Sequence, residues 1–510
     1  MKALKYREGE IDFITLGCSK NLVDAERVMR QLEAAGWRCV HDAEHPKGEI
    51  CVINTCGFIG DAKEESINMI LQMAERKKKG QLKKLIVMGC LSERYRAELE
   101  SELPEVDEYY GKFDFENLTL SLSEEREPTA GSTPAQQKKA AYRCANYERK
   151  LTTPKHYAYL KISEGCNRMC SYCAIPLITG RHTSRPKEEI LAEVRWLVSQ
   201  GVKELNVIAQ DLSSYGLDLG RTQNTDRSAD RIQAELPGAE IDRKPKHLLP
   251  ELIDKIAEVP GVEWIRLHYA YPTDFPEELL DVMAKHNNVC KYLDIALQHC
   301  TDHMLGLMRR HITRAEQDAL IRKIRERVPG ICIRTTLLVG HPGESEEDFE
   351  ELKEWVKEMR FERMGCFAYS DEEGTYAHKH YKDDIPQEVK ESRASELMSI
   401  QQEISAELMS RFVGKTERVI IDRQDGEYWV GRTQYDSPEV DCEVLISVKG
   451  PSTKFKTGEF YDVLITKAEE FDLYGVDEGW LAGEFLTEFG GEVPAAPDVV
   501  EECVDGVGVG

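Results

Sequence analysis

Three cysteines in the stretch KISEGCNRMCSYCAIP, Cys166, Cys170 and Cys173, carry the strongest chemical signal in the chain. They fall within eight residues, just after an apolar run (YAYLKI) that reads as a strand, so one loop can wrap three thiolates around an inorganic centre. Soft sulfur ligands suit iron-sulfur clusters. A four-iron cube has four ligand positions, so a three-cysteine loop leaves one iron open to a small molecule. The same residues also allow a zinc loop completed by His182, or ordinary core cysteines.

A second set has no local spacing but shares a location. Cys18 (LGCSKN), Cys56 (INTCGF) and Cys90 (MGCLSERY) each follow an apolar run, IDFITL at 11–16, ICVIN at 50–54 and LIVMG at 85–89, and each neighbours a glycine. In a parallel sheet such strand ends converge on the carboxyl edge, where open α/β folds bind ligands. Three thiolates meeting there would hold a second cluster with an open iron; small buried packing cysteines are the plainer alternative.

Weaker candidates close other strand-like segments. Gly340, Gly343 and Glu344 in GHPGE and Gln210 and Asp211 in AQD lie where cofactor contacts would occur, although a plain turn explains them equally well. His299 and His303 have an i, i+4 spacing that could place metal ligands on a helix, but a polar helix start at a barrel rim fits better. Cys51 lies within a strand run, and the other eight cysteines show no partner pattern.

The elements that must position these residues follow from periodicity. Residues 1–116 alternate short apolar runs with helical patterns, which predicts a doubly wound parallel α/β domain. Residues 117–151 mix Ser, Thr, Pro, Ala and charges and read as a linker. From 152 to 387 the runs YAYLKI, ELNVIA, WIRLHYA, YLDIAL, ICIRTTLLV and MGCFAY alternate with helix-like stretches, which predicts a partial or full (β/α) barrel with its site at the carboxyl ends of the strands. An inserted surface loop is expected at about 221–246. A connecting helix over 388–412 leads to short β-rich runs at 413–475, read as a small antiparallel β-barrel. The Gly-, Pro- and acid-rich tail at 488–510 is expected to be disordered.

Composition narrows the classes. The chain has 510 residues, 67 Lys and Arg, 92 Asp and Glu, and a net charge of −25, with 41% hydrophobic residues. That length suits about three domains. The start MKALKYREGE lacks an apolar segment and no stretch approaches the ~20 apolar residues of a membrane span, so the expectation is a cytoplasmic protein without a membrane partner. Fifteen cysteines in such a chain favour metal or redox chemistry over disulfides. The acidic excess argues against coating DNA by charge alone.

The Cys166–Cys170–Cys173 loop resembles the radical S-adenosylmethionine signature C-x3-C-x2-C. Together with the second triad and the final β-rich region, the chain is similar along nearly its whole length to the methylthiotransferase family: an N-terminal three-cysteine domain, a radical S-adenosylmethionine barrel and a TRAM barrel. The resemblance implies two 4Fe-4S clusters and S-adenosylmethionine as radical source and methyl donor, with conversion of C–H to C–S–CH3. It implies that Cys166, Cys170 and Cys173 bind the radical-generating cluster and that Cys18, Cys56 and Cys90 bind the sulfur-supplying one. A reductase or flavodoxin-type electron donor is the implied partner.

The stretches LGCSKNLVDAE, VINTCGFI, IAQDLSSYG, RTTLLVGHPGE, YSDEEGTYA and GRTQYDSPEVDCEV resemble the branch that modifies an aspartate of the small-subunit ribosomal protein S-twelve. The alternative branch acts on adenosine of transfer RNA. Charge offers an independent discriminator: between Phe412 and Tyr474 there are eight Lys and Arg against thirteen Asp and Glu. An acidic barrel suits a basic ribosomal protein better than RNA. Two departures from the family pattern are Thr179, where Arg is usual, and the length of the 221–246 insertion.

Overall fold

The computed structural model describes residues 6–125, 147–219, 247–448 and 455–477. The 221–246 insertion, the tail at 488–510 and most of the expected linker lie outside the described residues.

Strands β1 (Arg7–Thr15), β2 (Arg38–His41), β3 (Gly48–Thr55), β4 (Lys84–Gly89) and β5 (Glu108–Tyr110) form a sheet of order β2-β1-β3-β4-β5, parallel throughout. Alternate side chains serve opposite faces. Ile50, Val52, Ile86 and Met88 pack with Met29, Leu32, Leu118 and Leu122 of the helices Ser19–Ala34 and Phe115–Glu125. Cys51, Ile53, Leu85 and Val87 face Ile70, Met73, Leu91 and Leu99 of the helices Gly60–Lys78 and Cys90–Glu102. Burial on both faces explains why the runs are apolar without alternation. The helix Phe115–Glu125 corrects the sequence reading, which began a linker at 117. Its Ser- and Thr-rich run NLTLSLS conceals Leu118 and Leu122, four apart on one helical face and fully buried.

The second sheet begins with β6 (Tyr157–Lys161). A two-residue ladder of β7 (Ser163–Glu164) and β8 (Thr183–Ser184) follows, then β9 (Glu204–Ile208), β10 (Trp264–Ala270), β11 (Val289–Ile295), β12 (Cys332–Val339) and β13 (Arg363–Ala368). Its six strands lie in chain order, β6-β9-β10-β11-β12-β13, with parallel neighbours. The sheet stays open, with β6 and β13 at its edges, so the barrel is partial. Edge strand β6 is covered by the first domain: Leu22 and Val23 pack on Tyr157, Tyr159 and Ile208. Helices Arg314–Arg327 and Glu346–Met359 start at capping boxes, Thr313 with Glu316 and Ser345 with Asp348. No helix among the described residues is long and apolar enough to cross a membrane.

A second compact unit starts at Ala406, within the helix Gln387–Ser410. There β14 (Thr416–Asp425), β15 (Tyr428–Arg432), β16 (Glu443–Ser447), β17 (Phe460–Ala468) and β18 (Asp472–Asp477) close a barrel in the order β14-β15-β16-β18-β17. Val419, Ile421, Val444, Ile446, Val463 and Ile465 fill it. The expected antiparallel barrel needs one correction, because β16 and β18 run parallel. Five strands in a ring cannot alternate direction all the way round, so closure forces at least one parallel pair.

Within the first unit, buried charges join the α/β domain to the partial barrel. Arg149 is fully buried, its Nη1 donating to Glu26 at 3.0 Å and its Nε lying 3.1 Å from Glu193. Its Nη2 donates to the Tyr159 carbonyl of β6 at 2.8 Å. Burial alone would push the Glu193 carboxyl up, but the guanidiniums of Arg185, Arg149 and Arg27 outweigh it and hold the group below its ordinary range. Removing one partner of such a pair leaves an uncompensated buried charge. Arg149→Ala is therefore expected to cost about 3–5 kcal/mol, read by urea denaturation; a loss below about 1 kcal/mol, the scale of surface pairs, would contradict the assignment.

Candidate metal centres

The strand order of the first sheet reverses between β1 and β3, and loops leaving strands on either side of such a switch point diverge to form a crevice. Cys18 caps the helix after β1, Cys56 follows β3, and Cys90 begins the helix after β4. The cysteines therefore occupy that crevice. Asn21 ties their backbones together, donating to the carbonyls of Leu16 at 3.2 Å and Thr55 at 3.1 Å, while the Cys90 thiol donates to Asn21 Oδ1 at 3.4 Å. Gly17 is required by this crowding. Its φ is +90° and an added Cβ would meet Cys56 Cβ at 2.8 Å and Sγ at 3.0 Å. Gly89, at φ +102°, would likewise strike Asn54 and the Thr55 backbone.

The three thiols lie close enough to influence one another's charge. Burial pushes Cys90 up to about 12, opposed chiefly by the Lys112 ammonium. Burial raises Cys56 as well. Such thiols stay protonated until a metal displaces the proton.

The second triad sits on the loop after β6 and β7, held at nearly every residue. Cys166 N–H donates to the Gly180 carbonyl at 3.1 Å, and Ser171 N–H to that of Met308 at 3.0 Å. Arg168 donates through Nε to Asp211 at 2.8 Å and through Nη2 to the Thr273 carbonyl at 3.0 Å. Ser171 Oγ lies 2.9 Å from His341 Nε2, and its carbonyl accepts the Ala377 N–H at 2.7 Å. Around the sulfurs, Arg168 N–H lies 3.3 Å from Cys166 Sγ, and Tyr271 Oη 3.4 Å from Cys170 Sγ. Burial pushes the Cys166 thiol up to about 12 and Cys173 further.

Both donor sets are soft and cluster-like. Among the described residues no three Cys, His, Asp or Glu side chains converge tightly enough to share one metal ion. A cubane spreads its thiolates over separate irons, an arrangement suited to a wrapping loop. His182 does not join the cysteines; its Nε2 lies 3.1 Å from Ser184 Oγ.

The first triad packs beside the segment that follows the second. Cys90 shares an apolar cluster with Ala174, the residue after Cys173, and with Ile178. Lys112, enclosed beside the first triad, reaches Glu164 at 3.2 Å and Asp24 at 3.7 Å. Lys161 binds both Asp24 and Glu164. Lys20 places its ammonium 3.2 Å from the centroid of the Tyr269 ring at the end of β10. On the other side, Glu372 accepts from Lys63 at 2.8 Å and Arg94 at 2.9 Å.

The weaker candidates have structural partners. Asp211 anchors Arg168 and accepts from Ser214, so it positions the cluster loop. Gln210 donates to Glu164. Glu344 is engaged by Gly340 N–H at 2.6 Å, Arg393 at 2.6 Å and His299 at 3.2 Å. An added Cβ at Gly340 or Gly343 would strike Lys390 or Leu307, respectively. These contacts hold the GHPGE turn in place, with His341 bracing Ser171. His299 and His303 share no helix: His299 precedes the Thr301 cap, whereas His303 follows it and meets Asp348 at 2.9 Å. Residues that sequence reasoning missed include Lys112, Arg168, Tyr271, Arg310, His341 and Glu372. Their signal is spatial. Arg168, His341 and Glu372 lie within stretches that stand out in the sequence, KISEGCNRMCSYCAIP, RTTLLVGHPGE and YSDEEGTYA, but nothing local marks their contacts.

The chain is similar to known proteins along most of its length. The chain matches the descriptions "Uncharacterized protein family UPF0004" over residues 10–111, "Radical SAM superfamily" over 160–356 and "TRAM domain" over 413–476. It is 59% identical to the ribosomal protein uS12 methylthiotransferase RimO of Phocaeicola vulgatus, covering 92% of this chain and 99% of that one. The RimO protein of Bacteroides thetaiotaomicron is 59% identical, with 91% and 97% covered, and that of Porphyromonas gingivalis 54%, with 92% and 99% covered. Among solved structures, the radical S-adenosylmethionine methyltransferase TsrM of Kitasatospora setae is similar at TM-score 0.48 and 15% identity, over 71% of this chain and 72% of that one.

Gly17→Ala tests the crowding at the first triad. It is expected to lower stability by about 1–3 kcal/mol, from strain at positive φ and the clash with Cys56. Thermal unfolding of the metal-free chain reads it, and an unchanged midpoint would contradict the close approach.

Proposed function

This chain belongs to the RimO family of ribosomal protein uS12 methylthiotransferases, and from that premise we propose that it inserts a methylthio group at an aspartate side chain of uS12, using two 4Fe-4S clusters and S-adenosylmethionine. Cys166, Cys170 and Cys173 hold the cluster that binds S-adenosylmethionine. Cys18, Cys56 and Cys90 hold the cluster that serves sulfur insertion. The observation that carries this reading is the packing of Cys90 against Ala174 and Ile178, one residue beyond Cys173 and four residues further on. That contact supports a reading in which radical generation and sulfur supply are neighbours.

When bound, the barrel cluster and S-adenosylmethionine supply hydrogen-atom abstraction, needed because such a C–H bond is too weakly acidic for a side-chain base. The chain's own residues do the holding. Arg168 and Asp211 fix the cluster loop, His341 fixes Ser171, and Lys112 with Lys161 neutralises the carboxylates between the triads. Ala174, Ile178 and Cys90 supply an apolar contact at the seam.

The relatives' printed substrate, uS12, supports the ribosomal-protein reading over the transfer RNA alternative. The acidic balance of residues 412–474, thirteen Asp and Glu against eight Lys and Arg, supports a basic protein partner. A flavodoxin-type reductase is the proposed electron donor. Gly340, Gly343, Glu344, Gln210 and Asp211 remain the proposed S-adenosylmethionine contacts, at strand ends where their own hydrogen bonds hold them in place.

Two substitutions separate the triads. Cys170→Ala is expected to abolish formation of 5'-deoxyadenosine, whereas Cys56→Ala keeps it and stops the gain of one methylthio mass on uS12, both followed by mass spectrometry. Loss of both activities in both variants would contradict the division of labour. Modified transfer RNA beside unmodified uS12 would overturn the substrate.

A further inference from the structure

Arg310 is a buried cation without an anionic side-chain partner. It is 2% exposed, and among the described residues the groups that dominate its electrostatics are Tyr172, Cys170 and Tyr271, none a carboxylate. Its guanidinium carbon lies 4.1 Å from the centroid of the Tyr271 ring. Nη1 donates to Tyr172 Oη at 3.3 Å and to Cys170 Sγ at 3.6 Å, and Nη2 donates to the Ala296 carbonyl. Nε has no hydrogen-bond partner among the described residues.

The backbone is bent to deliver this side chain. Arg309 and His311, on either side, take φ of +56° and +53°, a left-handed conformation that strains non-glycine residues. Tyr271 completes the arrangement, with its hydroxyl 3.4 Å from Cys170 Sγ and 3.3 Å from the Arg310 carbonyl.

Burying an unpaired cation costs several kcal/mol. A neutral thiol and two phenols cannot offset that, whereas a thiolate carrying an anionic cluster can. On the reading that Cys166, Cys170 and Cys173 hold a cluster, we propose that Arg310, steadied by Tyr271, is a positioning residue that acts through Cys170 to raise the reduction potential of that cluster. Its positive charge and its donation to the ligand sulfur both favour the more negative, reduced state.

The test uses the full chain with Cys18, Cys56 and Cys90 replaced by Ala, so that only the barrel cluster contributes, reconstituted anaerobically and titrated with paramagnetic resonance as the readout. Arg310→Gln is expected to shift the midpoint to more negative potential, and Tyr271→Phe to shift it the same way by less. Arg310→Lys, which keeps the charge and loses the planar fork, should fall between parent and Arg310→Gln. Unchanged midpoints in Arg310→Gln and Tyr271→Phe, with full iron content, would overturn the proposal while leaving the cluster reading intact. If Arg310→Gln does not retain iron, the Tyr271→Phe midpoint decides alone. A parent chain that binds no iron at the barrel loop would overturn both readings.

Discussion

The arrangement depends on buried charge pairing across the seam between the α/β domain and the partial barrel. Arg149 between Glu26 and Glu193 fixes one end, and Lys112 and Lys161 between Asp24 and Glu164 fix the stretch beside the cysteines. Buried ions are costly, so such pairs hold only in near-complete geometry. That demand for geometry is useful here. Apolar surfaces tolerate sliding, whereas a seam pinned by directional charges sets how far one cysteine triad stands from the other.

Each triad is shaped by a different constraint. The first depends on topology: parallel strands deliver three separate loops to one crevice, and small residues let them meet, as Gly17 shows against Cys56. The second depends on a single loop, which must be laced from outside. Asp211, Thr273, Met308, His341 and Ala377 come from the ends of several barrel strands or the segments beyond them, so the loop's shape depends on the whole partial barrel. The sulfur of Cys170 then meets Tyr271, just after β10, and Arg310, beyond the helix Asp302–Leu307.

Much of this was legible in the sequence. Strands buried on both faces announce themselves as apolar runs, and a cysteine just after each run marks the carboxyl edge; Cys18, Cys56 and Cys90 stand there. What escaped has physical reasons. The helix Phe115–Glu125 was hidden because Ser and Thr are weak helix formers, and only Leu118 and Leu122 mark its buried face. Arg149 lay in a stretch that read as linker, and a lone charged residue gives no sign of burial until its partners converge from 123 and 44 residues away. Arg310 and Tyr271 reach Cys170 across more than a hundred residues of chain, a distance no local pattern spans. Glu344, conspicuous in its turn, is engaged by Gly340, His299 and Arg393, which the motif alone could not reveal.

The central claim is that the two triads hold clusters that are neighbours at one seam. Paramagnetic resonance of the fully reconstituted, reduced chain tests it most directly, by comparison with two variants that each lack one triad. Clusters in the seam must interact magnetically, so the spectrum of the whole chain should differ from the sum of the two single-cluster spectra, with broadening or splitting absent from either. A spectrum equal to that sum, at full iron and sulfide content, would contradict the account.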